Sequence, residues 1–192
     1  MSRTREFDTE AVLDQMVDVF WRKGYDATSI QDLVDSTGVN RPSLYSAYGD
    51  KERLFLRVLE RFSARFTQRL QEPLQTEPSI HKALEQTFEL HIERLTHPDF
   101  PPGCLIVNTM HKSASMPERV ARRIAAGANQ MEEALYQALR RAQQNGQIDA
   151  QRDARALARF FVSTMHGMAI AARLEPNEHA LRDIASQALS VL

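Results

Sequence analysis

The segment Thr37–Lys51 reads TGVNRPSLYSAYGDK and decides how the start of the chain folds. Gly38 separates two short stretches that have the apolar periodicity of helices, and Asn40 opens the second stretch. Glycine permits a reversal of the backbone, and an asparagine side chain caps the first turn of a helix. The segment therefore predicts two short helices, 29–37 and 41–48, in a helix-turn-helix arrangement.

Helical periodicity continues on both sides of this segment. It predicts a first helix over 9–23 that stops at Gly24, and a long fourth helix that begins at Lys51. After Pro73 the pattern predicts further helices, over 78–95, 103–112, 117–145, 150–174 and a last segment that follows Pro176. The sequence thus predicts an all-α protein of about nine helices. We expect a three-helix head, residues 1–53, followed by a larger helical body, residues 54–192.

Composition limits the class of protein. The chain has 192 residues, a net charge of −1 and one cysteine, Cys104, so an internal disulfide is excluded. The N-terminal segment lacks the apolar run of a secretory signal, and no stretch of about 18 apolar residues predicts a membrane span. No histidine or cysteine spacing typical of a metal site occurs. We therefore expect a cytoplasmic protein with no membrane partner, no metal and no other cofactor.

The side chains expected on the outer face of the helix-turn-helix suit double-stranded DNA. Arg41 can bond guanine through two hydrogen bonds, and Pro42 can pack on a thymine methyl group. Hydroxyl groups and a cation near helix starts can bond phosphate. The candidates of this second kind are Thr28, Ser29, Ser43, Tyr45 and Lys51. Thr28 and Gln31 also have the spacing of a capping box. Charge alone does not favour DNA, because acidic residues outnumber basic ones in the first 60 residues.

The same positions resemble the DNA-binding domain of TetR/AcrR-type transcriptional regulators. The resemblance covers residues 8–56 and rests on Gly24, Thr28-Ser-Ile, Gly38-Val39, Ser43-Leu44-Tyr45, Tyr48 and Lys51-Glu-x-Leu-Phe55. It implies a regulator, most often a repressor in this family, that binds a palindromic operator as a homodimer and responds to a small-molecule effector. By this resemblance Ser29, Tyr48 and Lys51 contact phosphate, and Gln31 reaches a base.

An effector site is expected between the fourth helix and the long helices of the body. The apolar or amphipathic candidates for its lining are Phe62, Phe66, Phe88, His91, Cys104, Met110, Tyr136, Phe161 and Met165. The same stripes also suit an ordinary core. A dimer contact is expected on the last two helices, where the small residues of 165–172 would allow close packing. Ala169 and Ala172 are the candidates for that contact.

Cys104 follows two prolines and a glycine, near the start of the predicted helix 103–112. A helix dipole favours the thiolate at this position, which would suit a sensor of oxidants or electrophiles. A small buried packing residue is the other interpretation. An all-helical enzyme that uses Cys104 is the alternative function, although His111 is predicted two turns away from the sulfur. A helical interaction module that does not bind DNA is a further alternative, but it leaves Arg41 and Lys51 without a role.

Overall fold

The computed structural model describes residues 7–110 and 116–192, and within these ranges the chain forms helices and no strands. The helices are α1 (Thr9–Ala27), α2 (Ile30–Thr37), α3 (Arg41–Tyr48), α4 (Lys51–Phe62), α5 (Gln68–Thr76), α6 (Ile80–Thr96), α7 (Leu105–Met110), α8 (Glu118–Gln144), α9 (Ala154–Leu174) and α10 (Glu178–Leu189). A π-helical turn, Ser63–Thr67, joins α4 to α5. We call α4, the π-helical turn and α5 together the rod. When the rod is counted as one helix, the described residues form nine helices, which confirms the predicted all-α fold class.

The turn between α2 and α3 forms as the sequence predicts. Gly38 ends α2 with a left-handed φ of 68°, and its N–H donates to the carbonyl of Val34. The side chain of Asn40 accepts a hydrogen bond from the Ser43 N–H at 2.9 Å and so caps α3. Leu44 is buried on the inner face of α3 and holds it against the rest of the head. These local contacts fix the direction in which the outer face of α3 points.

The capping box of α2 lies one residue later than predicted. Asp32, not Gln31, is the reciprocal partner, and Ser29, not Thr28, supplies the hydroxyl. The Ser29 N–H donates to Asp32 Oδ2 at 2.8 Å, and the Asp32 N–H donates to Ser29 Oγ at 3.1 Å. These bonds and Lys23 lower the pKa of Asp32 to about 2, with the Lys23 hydrogen bond as the largest cause. A charged carboxylate is the stronger acceptor, which explains why it displaces the amide.

The sequence predicts further helices after Pro73. In the structure this proline does not divide the chain into separate helices. It lies inside α5 and is buried between Leu70 and Leu74. A proline inside a helix removes one backbone hydrogen bond and costs stability. Burial of this apolar turn against the body offsets that cost, so the rod continues to Thr76.

Aromatic side chains join the head to the body. Phe55 of α4 is fully buried, with its ring centroid 4.8 Å from Phe20. Further along the rod, Phe62 packs edge-on against Trp21 of α1 at 5.0 Å. The same apolar cluster extends to Leu105 of α7 and to the first half of α8. Movement of the rod would therefore be transmitted to α1.

The core of the body lies between α6, α8 and α9. Leu135, Leu139 and Phe161 are among its fully buried members. Ala169 and Ala172 also have no exposed surface within one chain, so the expectation that they form a dimer contact is wrong. Helical periodicity shows that α9 is apolar around its circumference but cannot show which apolar side faces the protein's own core. Across the residues that the structure describes, no helix is long and apolar enough to span a membrane.

Candidate nucleic-acid interface and cavity

The outer face of α3 presents most of the side chains predicted to read DNA. Arg41, Pro42 and Tyr45 are exposed, and Ser43 is half-buried beside them. Tyr45 is 42% exposed, so its ring and hydroxyl group are accessible from outside the protein. The face therefore combines a planar cation, an apolar ring and two hydroxyl groups. This combination can bond base edges and phosphate oxygens.

Three predicted contacts lie beside this face at helix starts. Ser29 and Gln31 are exposed at the start of α2, and Lys51 is half-buried at the start of α4. The Gln31 amide donates to Asp35 at 2.8 Å, which leaves its carbonyl oxygen available. The Lys51 ammonium lies 4.6 Å from the centroid of the Tyr25 ring, and burial lowers its pKa. The ring and the start of α4 thus hold this cation in place.

Two predicted phosphate ligands have their hydroxyl groups engaged inside the protein. Thr28 is only 1% exposed, and its hydroxyl donates to the Gly24 carbonyl at 2.6 Å. The Tyr48 hydroxyl donates to the Thr9 carbonyl at 2.8 Å and so fastens α3 to α1. We assign both residues a structural role and remove them from the set of candidate DNA contacts.

A partly open cavity of about 50 Å³ lies at the junction of the rod with α6, α7, α8 and α9. Its walls include five of the predicted effector-site residues, namely Phe62, Phe66, His91, Cys104 and Met165. His166, which the sequence offers as either a ligand contact or a core histidine, also lines it, whereas Arg94, Ile106 and Val162 were not identified from the sequence. A larger groove of about 450 Å³ lies between α5 and α8, but glutamine and charged residues make up most of its walls. Because its lining is the more apolar of the two, the cavity is the better candidate for an organic ligand.

Four predicted lining residues lie outside this cavity wall. Phe88 and Phe161 pack together in the body core, with ring centroids 6.1 Å apart. Tyr136 is covered by the Arg155 guanidinium at 3.6 Å. Met110, the last residue of α7, is half-buried against both apolar clusters. Apolar spacing placed these residues on the inner faces of their helices, but it does not distinguish core from cavity.

His91 and Arg94 form a buried polar pair on α6. His91 Nε2 lies 2.9 Å from the Met165 carbonyl, and its Nδ1 lies 3.4 Å from an Arg94 Nη2. With its proton on Nε2, the ring donates to the carbonyl and accepts from the guanidinium. Burial, with Arg94 as the second cause, lowers the pKa of His91 to about 3. The ring is therefore neutral at physiological pH.

Cys104 lies just before α7 and lines the cavity. Its carbonyl accepts from the Asn108 N–H at 2.7 Å, which places the residue at the start of the helix as predicted. The side chain is half-buried, so it is neither a fully buried packing residue nor an open surface thiol. His111, considered above as a partner for the sulfur, lies outside the described residues. In 7–110 and 116–192, no cluster of histidine, cysteine and acidic side chains forms a metal site.

Acid is expected to destabilise the protein through His91. In the unfolded chain this histidine takes up a proton below about pH 6.5, whereas in the folded protein the ring stays neutral down to about pH 3. This contribution to stability is therefore complete above pH 6.5 and is lost progressively as the pH falls. At pH 5 the loss amounts to about 2 kcal/mol. The check is urea unfolding near pH 7.5 and near pH 5, at one protein concentration, for the native protein and His91→Gln.

The His91→Gln protein should lose less stability on acidification than the native protein. Some loss should remain, because burial also lowers the pKa of His166. Replacement of the exposed His81 by glutamine is the control and should leave the native pH dependence unchanged. Equal losses for native protein and His91→Gln would show that His91 does not carry the effect.

The last two helices leave an apolar face uncovered by the rest of the chain. Phe160, Ile170 and Leu174 of α9 are 42%, 54% and 85% exposed. Ile184 of α10 is 38% exposed. Gly167 lies between Phe160 and Ile170, and an added Cβ there would meet no atom within 4 Å. A face of this kind on a helix pair is typical of a contact with another protein surface.

Comparison with known proteins assigns the family. Residues 12–58 match the model of bacterial regulatory proteins of the tetR family, and residues 81–188 match the tetracyclin repressor-like C-terminal domain. The transcriptional repressor ComR of Escherichia coli is 34% identical over 188 residues, which cover 97% of this chain and 90% of ComR. The uncharacterized regulator YezE of Bacillus subtilis is 31% identical over 193 residues and the full length of both chains.

A solved structure shows the same fold on DNA. The regulator CifR, as a cysteine mutant complexed with 26 bp double-strand operator DNA, superposes with a TM-score of 0.90 at 27% identity and 98% coverage of both chains. The chain therefore belongs to the TetR family of helix-turn-helix transcriptional regulators. Regulators of this family are DNA-binding proteins, not enzymes, and they are dimeric and respond to effectors.

Proposed function

We propose that this protein is a transcriptional repressor whose homodimer binds a palindromic operator and releases it when a small molecule occupies the cavity between the rod and α6, α7, α8 and α9. The exposed face of α3, with Arg41 and Tyr45 held outward by the buried Leu44, is the observation that carries the proposal. ComR is a repressor, and CifR is complexed with operator DNA, which supports the same role here. These relatives include bacterial proteins, and bacterial DNA lies in the cytoplasm, so we place the protein there.

The proposed contacts divide into two groups. Arg41, Pro42, Ser43 and Tyr45 face base edges and the neighbouring backbone. Ser29 and Lys51 contact phosphates, and Gln31 reaches a base through its free carbonyl oxygen. Contacts to phosphate position the protein, and contacts to bases give it sequence preference. The domain boundary near residue 53 follows from the same division, because residues before it form the contact surface and residues after it form the cavity.

The release step requires the rod to couple the cavity to the head. Phe62 and Phe66 line the cavity, and both pack against Trp21 of α1. An occupant that shifts these rings would move α1 and the α2–α3 pair attached to it. A ligand can shift the equilibrium only if it binds one arrangement better than the other. The two arrangements would differ in the separation between the two heads of the dimer, and the ligand would bind one of these arrangements better than the other.

Replacing Arg41 with alanine is expected to weaken operator binding by about 1–3 kcal/mol and to relax preference at one base pair in each half-site. The loss follows from two hydrogen bonds to guanine that alanine cannot make. The measurement is fluorescence anisotropy with DNA from upstream of the protein's own gene, and with duplexes substituted at each position of the site.

Two control variants separate base reading from general attraction. Lys51→Ala should weaken all duplexes by a similar factor and reduce the salt dependence of binding. Arg140→Ala removes an exposed arginine from α8 and should leave binding unchanged. If Arg41→Ala keeps both the affinity and the base preference of the native protein, the proposed reading face is wrong.

A further inference from the structure

Arg94 is a buried cation without an acidic partner. It is 7% exposed, and no ion pair joins it to a carboxylate among the residues that the structure describes. Burial lowers the pKa of Arg94, and the Cys104 thiol beside it partly opposes that effect. One N–H of Arg94 donates to the Gly103 carbonyl at 2.9 Å, and another points to the neutral His91 ring. A buried charge is costly unless it is paired, so this arrangement requires an explanation.

The unpaired cation forms part of the cavity wall. Arg94 lines the cavity with the half-buried Cys104 and with apolar side chains such as Phe62 and Val162. A guanidinium has more N–H donors than its two protein acceptors use. The pocket is partly open, and its volume of about 50 Å³ accommodates a carboxylate group beside Arg94 while a hydrocarbon tail extends through the opening. The site therefore offers one fixed cation and a largely apolar surround.

We propose that the effector of this protein is a small organic acid whose carboxylate is bound by Arg94. This inference rests on the proposed role of the cavity as the effector site. A guanidinium binds a carboxylate through two parallel hydrogen bonds, which matches the planar fork of Arg94. A single cation and apolar walls favour a monocarboxylate with a hydrocarbon tail over phosphate or sulfate, which carry more charge. The carboxylate supplies the counter-charge that no carboxylate of the described residues provides.

Arg94 also touches the head. Its guanidinium carbon lies 5.8 Å from the ring centroid of Trp21. Trp21 is the single tryptophan of the chain and belongs to α1. A carboxylate that draws the guanidinium toward the cavity changes its contact with this indole. The same movement alters the packing of α1, to which the DNA-reading helices α2 and α3 are attached.

The test is a titration of Trp21 fluorescence in the full-length protein. The probes are butanoate, hexanoate and cyclohexanecarboxylate, each compared with its neutral amide at the same millimolar concentrations. We expect a saturable change with at least one acid and a response at least about tenfold weaker with the matching amide, because the amide lacks the charge. The acid should also release operator DNA over the same concentration range.

Two variants locate the carboxylate. Arg94→Leu should abolish the response to the acid, and an apolar residue at this buried position is expected to preserve the fold. Arg69→Leu removes an exposed arginine of α5 and should respond like the native protein. Circular dichroism establishes whether Arg94→Leu is folded. If it is not, the acid-against-amide comparison on the native protein decides.

The outcomes separate this inference from the proposed function. Equal responses to acid and amide, no saturable response to any of the three acids, or a folded Arg94→Leu protein that titrates like the native one would each overturn the inference. A protein that binds operator and fails these tests remains a regulator with a different effector. A protein that binds an acid through Arg94 but no DNA from its own upstream region contradicts the proposed function and leaves the acid site intact.

Discussion

Replacing Ile170 with glutamate is expected to convert the dimer into monomers and to lower operator affinity by about 100- to 10,000-fold. Ile170 lies on the apolar face that one chain leaves open, between Gly167 and Leu174. In a twofold dimer this face packs against the same face of the partner chain. A single Ile170→Glu substitution therefore places two negative charges in one apolar contact. Without the dimer, the second head no longer binds at the high effective concentration that linkage provides.

Sedimentation velocity and anisotropy on operator DNA measure the two parts of this prediction. Arg140→Glu, which introduces the same residue on the exposed side of α8, is the control and should remain dimeric. Ala169→Glu gives a further contrast, because Ala169 is buried within the chain and a charge there should unfold the protein. A stable Ile170→Glu dimer with native operator affinity would show that the contact lies elsewhere.

Replacing Phe55 with alanine is expected to lower the free energy of unfolding by about 3–5 kcal/mol. Phe55 is fully buried, and its ring centroid lies 4.8 Å from Phe20 and 4.9 Å from Tyr25. Truncation leaves a cavity where α4 packs against α1, and the surrounding helices cannot close it completely. Since this junction holds the head to the rod, operator binding should be lost together with stability.

Urea unfolding followed by circular dichroism measures the loss. Leu56→Ala is the matched control, because Leu56 is the next residue on the same helix and is only half-buried. It should cost clearly less than Phe55→Ala. A change of less than about 1 kcal/mol for Phe55→Ala would contradict the assigned packing, because such values are typical of surface substitutions.

The sequence predicted those parts of the fold that depend on neighbouring residues. Gly38 and Asn40 end and begin helices through contacts within a few residues, and both predictions are confirmed. Gly24 also interrupts α1, with φ 79° and ψ 171°. Pro73 shows the limit, because local chemistry predicts a break there while packing against distant helices keeps the rod intact. The capping box was misplaced because two overlapping residue pairs have the required spacing.

The site was less predictable because it depends on what lies opposite each helix. Apolar spacing selected Phe62, Phe66 and Met165, which line the cavity, but it could not separate them from Phe88 and Phe161, which pack in the core. Arg94 was missed altogether. A signal for it exists, because Arg94 follows His91 by three residues and lies beside Leu95 in the apolar register of α6. A cation in that register is either buried or directed into a cavity.

Hydroxyl-radical footprinting of the native protein on DNA from upstream of its own gene tests the central claim most directly. A twofold dimer reading DNA through α3 should protect two symmetric patches whose centres lie about 10 base pairs, or a multiple of that spacing, apart. Arg41→Ala should weaken both patches together. A single asymmetric patch, or protection that does not depend on Arg41, would contradict the assignment of this chain as a dimeric operator-binding regulator.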